Sequence, residues 1–250
     1  MNSFQYASTI KEFFLKDENS IIGMLTVENQ FDTRRTTTES WKEEIQTIKI
    51  ALQDYQNEEG FVAFEYTLPR VDGRIDVIIG LQGVLFVLEF KTGDAQDENA
   101  DKDQLTQYVS DLKNYHFETY DLPVVPIWVV PKAELSVPRM FLPKSADSVF
   151  GMMTVGDTTI AEAIKKVLGT SYTNKVNIDM NNWLYSPYCP TANIVDATRK
   201  LYANHNVENI NRSDARGEDL VNTTNTIISL INQAKAKSEK YLCMITGVPG

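Results

Sequence analysis

Between Ile75 and Phe90 the chain is apolar almost without interruption, and this stretch restricts the possible folds more than any other. Ile75–Ile79 follows the turn signal Asp72-Gly73, and Val84–Phe90 follows a second turn signal, Gln82-Gly83. Val84–Phe90 lacks the apolar–polar alternation of a half-solvated strand and reads as a strand buried on both faces. The interruptions are as telling as the run. Asp76 stands near the start of the first strand and Glu89 near the end of the second. If the strands are antiparallel neighbours, both carboxylates reach one edge of the sheet. Glu89 and Lys91 are two residues apart and share a face in extended chain, while Phe90 turns into packing. A strand end carrying a plain surface ion pair fits the same residues.

The flanking chain supplies helices. Residues 4–16 read as a short helix with Phe4, Ala7, Ile10 and Phe14 on one side. Ile21–Val27 is a short apolar piece. Ser40, with Glu43 three residues on, reads as the N-cap of a helix from Trp41 to about Asn57. Its buried stripe is Trp41, Ile45, Ile48, Leu52 and Tyr55. Glu44 borders that stripe, so its carboxylate faces a cleft or needs a partner. Phe61–Leu68 is a further strand. Residues 94–103 are acidic and read as a loop. Leu105, Tyr108, Val109, Leu112 and Tyr115 then mark a second amphipathic helix. Val124–Val130, between Pro123 and Pro131, is another buried strand. Helix, three strands, helix and strand in this order predict an α/β protein with a mixed central sheet. Beyond it, Ser148–Val155 reads as a strand, and Thr159–Leu168, Ile194–His205 and Glu218–Lys237 as helices. Ser186–Pro190 reads as a boundary and Tyr241–Ile245 as a buried strand.

Charge narrows the function. The 250 residues carry a net charge of −10, with a pI near 4.8. That excludes a generally basic nucleic-acid coat, so any nucleic-acid contact must use local basic groups or a bound metal. Two cysteines (Cys189, Cys243) and two histidines (His116, His205) rule out a Cys/His zinc set and argue against a disulfide framework. His116 reads as a structural histidine and His205 as a helix-end residue. Residues 1–16 are charged and lack the core of a signal peptide, and no apolar run approaches a membrane span. The expectation is a cytoplasmic protein with no membrane partner.

Gln104 and Tyr108 are spaced i, i+4 and share a helix face. The resulting order, Asp76, then Glu89-Phe90-Lys91, then Gln104-X-X-X-Tyr108, resembles the PD-(D/E)XK nuclease superfamily. Within it, the resemblance is to the helicase-associated nucleases that carry a Gln-X-X-X-Tyr motif. It covers roughly residues 41–130 and implies a restriction-endonuclease-like core with a mainly helical C-terminal extension. It further implies that Asp76 and Glu89 hold Mg²⁺ or Mn²⁺, with Glu44 (or, failing it, Glu43) completing the metal shell. Lys91 would assist the attacking water, and Gln104 and Tyr108 would orient the site or substrate. Arg74 either binds a substrate phosphate or pairs with Asp76 or Glu65. Ile75 stands where the family often has proline. The acids Asp94, Asp97, Glu98, Asp101 and Asp103 read as a solvated loop.

The closing Gly247-Val248-Pro249-Gly250 resembles the first half of a Walker A loop, with Gly247 and Gly250 as its phosphate-cradling positions. The whole chain resembles the N-terminal part of the bacterial Schlafen-like helicase–nucleases. That resemblance implies an N-terminal helical arm (1–40), a nuclease-like domain (41–155), a connecting segment (156–205) and the start of a P-loop domain (206–250). The rest of the helicase would be absent from this chain, and ATP hydrolysis is not expected of it. The implied function is metal-dependent cleavage of nucleic acid, DNA ahead of RNA, in DNA processing or phage defence. The alternative is a catalytically silent nucleic-acid-binding or docking module on the same fold.

Overall fold

A computed structural model of the chain describes residues 3–28, 35–69, 73–91, 98–133, 135, 148–171, 176–188 and 217–237. The strand Val84–Phe90, expected to be buried on both faces, lies inside a six-stranded sheet and pairs antiparallel with the strand before it. In chain order the sheet elements and their helices begin with β1 (Tyr6–Thr9), α1 (Ile10–Leu15), α2 (Glu18–Glu28) and α3 (Arg35–Ala51). They continue with β2 (Gly60–Thr67), β3 (Arg74–Leu81), β4 (Val84–Phe90), α4 (Glu98–Tyr115) and β5 (Val124–Val130). β6 (Met153–Gly156), α5 (Ile160–Leu168) and α6 (Met180–Leu184) follow. Spatial order equals chain order; the pairings β1–β2, β2–β3 and β3–β4 are antiparallel, and β4–β5 and β5–β6 are parallel. The fold is therefore α/β with a mixed sheet.

Each face of the sheet has its own core. On one, Phe13, Leu25, Trp41, Ile45, Ile48 and Leu52 from α1–α3 and their flank, with Ile164 and Val167 from α5, pack on Val62, Val77, Phe86 and Ile127. On the other, Leu105, Tyr108 and Leu112 from α4, with Trp183 and Leu184 from α6, pack on Ile78, Leu85, Val87 and Trp128. Each fully buried apolar side chain contributes about 1.5–3 kcal/mol. Leu81 pairs with Val84 across Gln82 (φ 48°) and Gly83 (φ 78°). Two consecutive positive φ angles are what a tight two-residue hairpin turn requires.

Several sequence expectations are corrected. Tyr6–Thr9, expected within a helix, forms strand β1 on β2, and the helix starts only at Ile10. Its start is a capping box in which Thr9 and Glu12 satisfy each other's backbone N–H groups. Ile21–Val27 lies in helix α2. Ser40 is not a cap: α3 begins earlier, at Arg35, and runs through it. Asp101 and Asp103, assigned to a loop, lie in the first turns of α4, which begins at Glu98. The strand expected over Ser148–Val155 is shorter, Met153–Gly156, preceded by a bridge from Val149 to Val124.

The chain divides into two compact units, Met1–Tyr188 and Cys189–Gly250. The described part of the second is one helix, α7 (Gly217–Lys237). Ile194–His205, the Tyr241–Ile245 strand, both cysteines and the Walker-like Gly247 and Gly250 lie outside the described residues. Among those described, no helix is long and apolar enough to cross a membrane.

Candidate functional site

The register of the hairpin aligns the acids. Val77 pairs with Leu88, so the next step outward sets Asp76 opposite Glu89. On the other side of β3, Phe64 pairs with Val77 and Tyr66 with Ile75, which sets Glu65 opposite Asp76. In the parallel ladder Glu89 pairs with Trp128. Glu65, Asp76, Glu89 and Trp128 thus form one transverse row over four strands. The row sits at the C-terminal ends of β4 and β5, where open α/β sheets commonly bind ligands.

The helices complete the cluster. Glu44 is 6% exposed on α3 and adds a carboxylate from that side. Asp76 Oδ2 accepts the main-chain N–H of Phe90 at 2.7 Å. Glu44 Oε2 and Glu89 Oε2 are buried and have no hydrogen-bond partner among the described residues. Burial first, and then Glu65, push Asp76 up to about 7, against the pull of the Phe90 N–H and the Arg74 charge. Glu89 is raised by burial and then by Asp76, with Glu65 and Glu44 adding to it. Glu44 is held well above the carboxylate range by burial, then Asp76, Glu65 and Glu43. Burial disfavours each anion, and each anion disfavours the others.

Lys91 follows β4, and its N–H bonds Val129 O at 2.8 Å, so the ladder continues to it. Its Nζ lies 5.8 Å from the centre of the Trp128 ring; Lys102 Nζ, from α4, lies 4.3 Å from the same ring. Two ammonium groups therefore gather beside the row. Gln104 Nε2 donates to Tyr108 Oη, as the i, i+4 spacing predicts. Tyr108 abuts the start of β3: a Cβ on Gly73 would overlap its hydroxyl. Burial raises the Tyr108 hydroxyl, the Gln104 bond opposes this, and Glu89 and Asp76 raise it further. Arg74 Nε pairs with Glu65 Oε2 at 3.1 Å, one of the two partners foreseen for it. Glu43 is exposed and pairs with Lys132 at 3.0 Å.

Glu44, Asp76 and Glu89 thus share one electrostatic environment, with Tyr108 at its edge. Sequence reasoning missed Trp128 as the floor under Lys91, and it weighed Glu65 only as a partner for Arg74. The signal for Glu65 was present, as the one acid in an otherwise apolar and aromatic strand. His116 is buried; its Nδ1 meets Thr119 Oγ1 at 2.7 Å, its ring stacks on Trp183, and burial lowers it to about 4.

The donors are hard oxygens, the type that suits Mg²⁺, Mn²⁺ or Ca²⁺. Among the described residues, no three Asp, Glu, His or Cys side chains are grouped so as to hold a metal ion as they stand. The fit to a divalent cation is therefore one of chemistry: two orphaned buried carboxylate oxygens and mutual repulsion that a positive charge would relieve. No protein-family model, curated protein or solved structure matches the chain.

Proposed function

We propose that this chain is a Mg²⁺- or Mn²⁺-dependent phosphodiester hydrolase acting on nucleic acid, of the PD-(D/E)XK type. The observation that supports it most is the carboxylate cluster. Buried acids that repel one another are costly unless paired, and they gather at functional sites. A cation shared by Asp76 and Glu89, with Glu44 beside them, would offset that penalty.

When bound, such a cation supplies Lewis-acid polarisation of a phosphoryl oxygen and a more acidic water. The chain's own groups carry the remaining roles. Lys91, two residues beyond Glu89, orients the attacking water and stabilises the charge that develops on the phosphate. Water oxygen bonds to phosphorus as the P–O bond to the leaving nucleoside breaks, and the leaving oxygen takes up a proton. Gln104 fixes the Tyr108 hydroxyl at the margin of the cluster. Arg74, exposed at the same margin, is the phosphate contact.

A silent docking or binding module is favoured instead by one observation: among the described residues, the carboxylates are not grouped into a ready metal shell. A single experiment separates the two. Single- and double-stranded DNA and RNA are incubated with the protein in Mn²⁺, and heat of Mn²⁺ binding is recorded in parallel. Cleavage that disappears in Asp76→Asn supports hydrolysis; Mn²⁺ binding with every substrate left intact refutes it.

A further inference from the structure

Glu65 has an unusual backbone for its type. It lies in mid-strand with φ 53°, in the left-handed region that non-glycine residues rarely occupy. Such conformations persist where the surroundings over-determine them. Here both carboxylate oxygens are bound: Oε1 accepts Trp41 Nε1 at 2.7 Å, and Oε2 meets Arg74 Nε at 3.1 Å. The Glu65 side chain is 9% exposed, that of Arg74 42%. A second clamp holds the same guanidinium. With its amide turned to suit its neighbours, Gln5 donates to Leu25 O at 3.3 Å and accepts Arg74 Nη1 at 2.6 Å. The helix residue Trp41, the strained strand residue Glu65 and Gln5 before β1 thus fix a half-exposed arginine two residues from Asp76.

Taking phosphodiester hydrolysis as the reaction, we infer that Glu65 is a positioning residue: anchored by Trp41, it presents the Arg74 guanidinium to a substrate phosphate. It is not a metal ligand, because both of its oxygens are engaged. With Nε on Glu65 and one Nη1 hydrogen on Gln5, the remaining terminal N–H groups of Arg74 are left for a phosphate, a planar geometry that lysine cannot reproduce.

The test is binding of a fluorescein-labelled DNA oligonucleotide to the intact chain in EDTA, read by anisotropy, with a thermal melt of each variant. Glu65→Gln keeps an oxygen acceptor for Trp41 and loses the ion pair. Arg74→Gln should weaken binding about tenfold, the loss of one charged phosphate contact. Glu65→Gln should weaken it several-fold, and the double variant should bind no more weakly than Arg74→Gln alone. Arg74→Lys keeps the charge on a surface-accessible side chain and should bind as weakly as Arg74→Gln. Unchanged or tighter binding by Glu65→Gln overturns the inference, since Glu65 would then merely compete with phosphate for Arg74. Wild-type-like binding by Arg74→Lys overturns it also, even if Glu65→Gln does not fold. A wild-type chain that neither binds nor cuts any oligonucleotide overturns the hydrolase reading itself, a result distinct from either.

Discussion

Asp76 and Glu89 stand one step beyond Val77–Leu88, the last pair of the β3–β4 ladder, and there the Phe90 main-chain N–H donates to Asp76 Oδ2 at 2.7 Å. Backbone N–H groups thus steady both acids, that of Phe90 on Asp76 and that of Asp76 on Glu89, while Glu89 Oε2 stays buried without a hydrogen-bond partner among the described residues. Lys91 is the nearest cationic residue in sequence to Glu89. If it serves the attacking water, Lys91→Ala lowers the cleavage rate by about 10²–10⁴-fold. Its melting temperature should stay close to wild type, because Lys91 lies past the end of β4 and its main-chain bond to Val129 is kept. Full cleavage by a folded Lys91→Ala protein would remove Lys91 from the mechanism.

The raised carboxyls also make stability depend on pH. A group whose pKa is higher in the folded chain contributes stability that is complete below its unfolded value and lost as pH rises through its folded value. For Asp76 that window runs from 3.8 to about 7, and Glu44 and Glu89, raised in the same direction, add to the loss. In EDTA the protein should therefore melt at a higher temperature at pH 5 than at pH 8, with a loss of stability on the order of a few kcal/mol between them. The Asp76→Asn/Glu89→Gln double variant should show a flatter profile in the same calorimetric series. Parallel profiles for the two proteins would mean that the cluster is not the source.

Divalent cations should reverse that loss. Binding to the folded state alone adds about 2.7 kcal/mol at a hundredfold excess over Kd. Protons compete for the same oxygens, so Mn²⁺ should raise the melting temperature more at pH 8 than at pH 5. The effect should vanish in Asp76→Asn/Glu89→Gln. A Mn²⁺ shift of equal size in that variant would locate the ion elsewhere.

Lys113 offers a control remote in role from the cluster. It is 3% exposed, and its Nζ donates to Thr119 O at 3.2 Å, Tyr120 O at 2.5 Å and Leu122 O at 2.9 Å. It ties the end of α4 to the turn that leads into β5. Lys113→Met leaves these carbonyls without their charged donor and should cost about 2 kcal/mol or more. Guanidinium titration should show the lower midpoint, and Mn²⁺ affinity of the folded fraction should not change. A midpoint equal to wild type would show that water replaces the ammonium.

The parts of the fold legible in the sequence were those fixed locally. β3, β4 and β5 announce themselves as apolar runs between turn residues, and α3 by the spacing of Trp41, Ile45, Ile48 and Leu52. β1 was hidden because its partner, β2, lies some fifty residues downstream, and non-local pairing leaves no mark on a four-residue strand. Capping boxes were ambiguous for a related reason. Thr9/Glu12 and Ser40/Glu43 have the same form, but only the first starts a helix. Where α3 begins depends on residues 35–40, whose helical pattern is weak. At the site, the spacing of Asp76, Glu89 and Lys91 was enough to bring the acids together on paper. The left-handed turn of Glu65 and the Trp128 floor arise from the assembled sheet and could not be read from residue types.

The Gln82-Gly83 turn has one more consequence. β3 and β4 are apolar on both faces, so sliding one past the other by a residue would exchange one buried oily side chain for another. Hydrophobic patterning, which locks most hairpins in place, offers little resistance here. The two-residue turn is then the gauge that sets how the strands line up, and it does so from the far end of the hairpin. A single residue inserted between Leu81 and Val84 would leave a well-buried sheet with Asp76 and Glu89 out of step. The alignment of the two acids is therefore exposed to small changes in a turn at the other end of the strands.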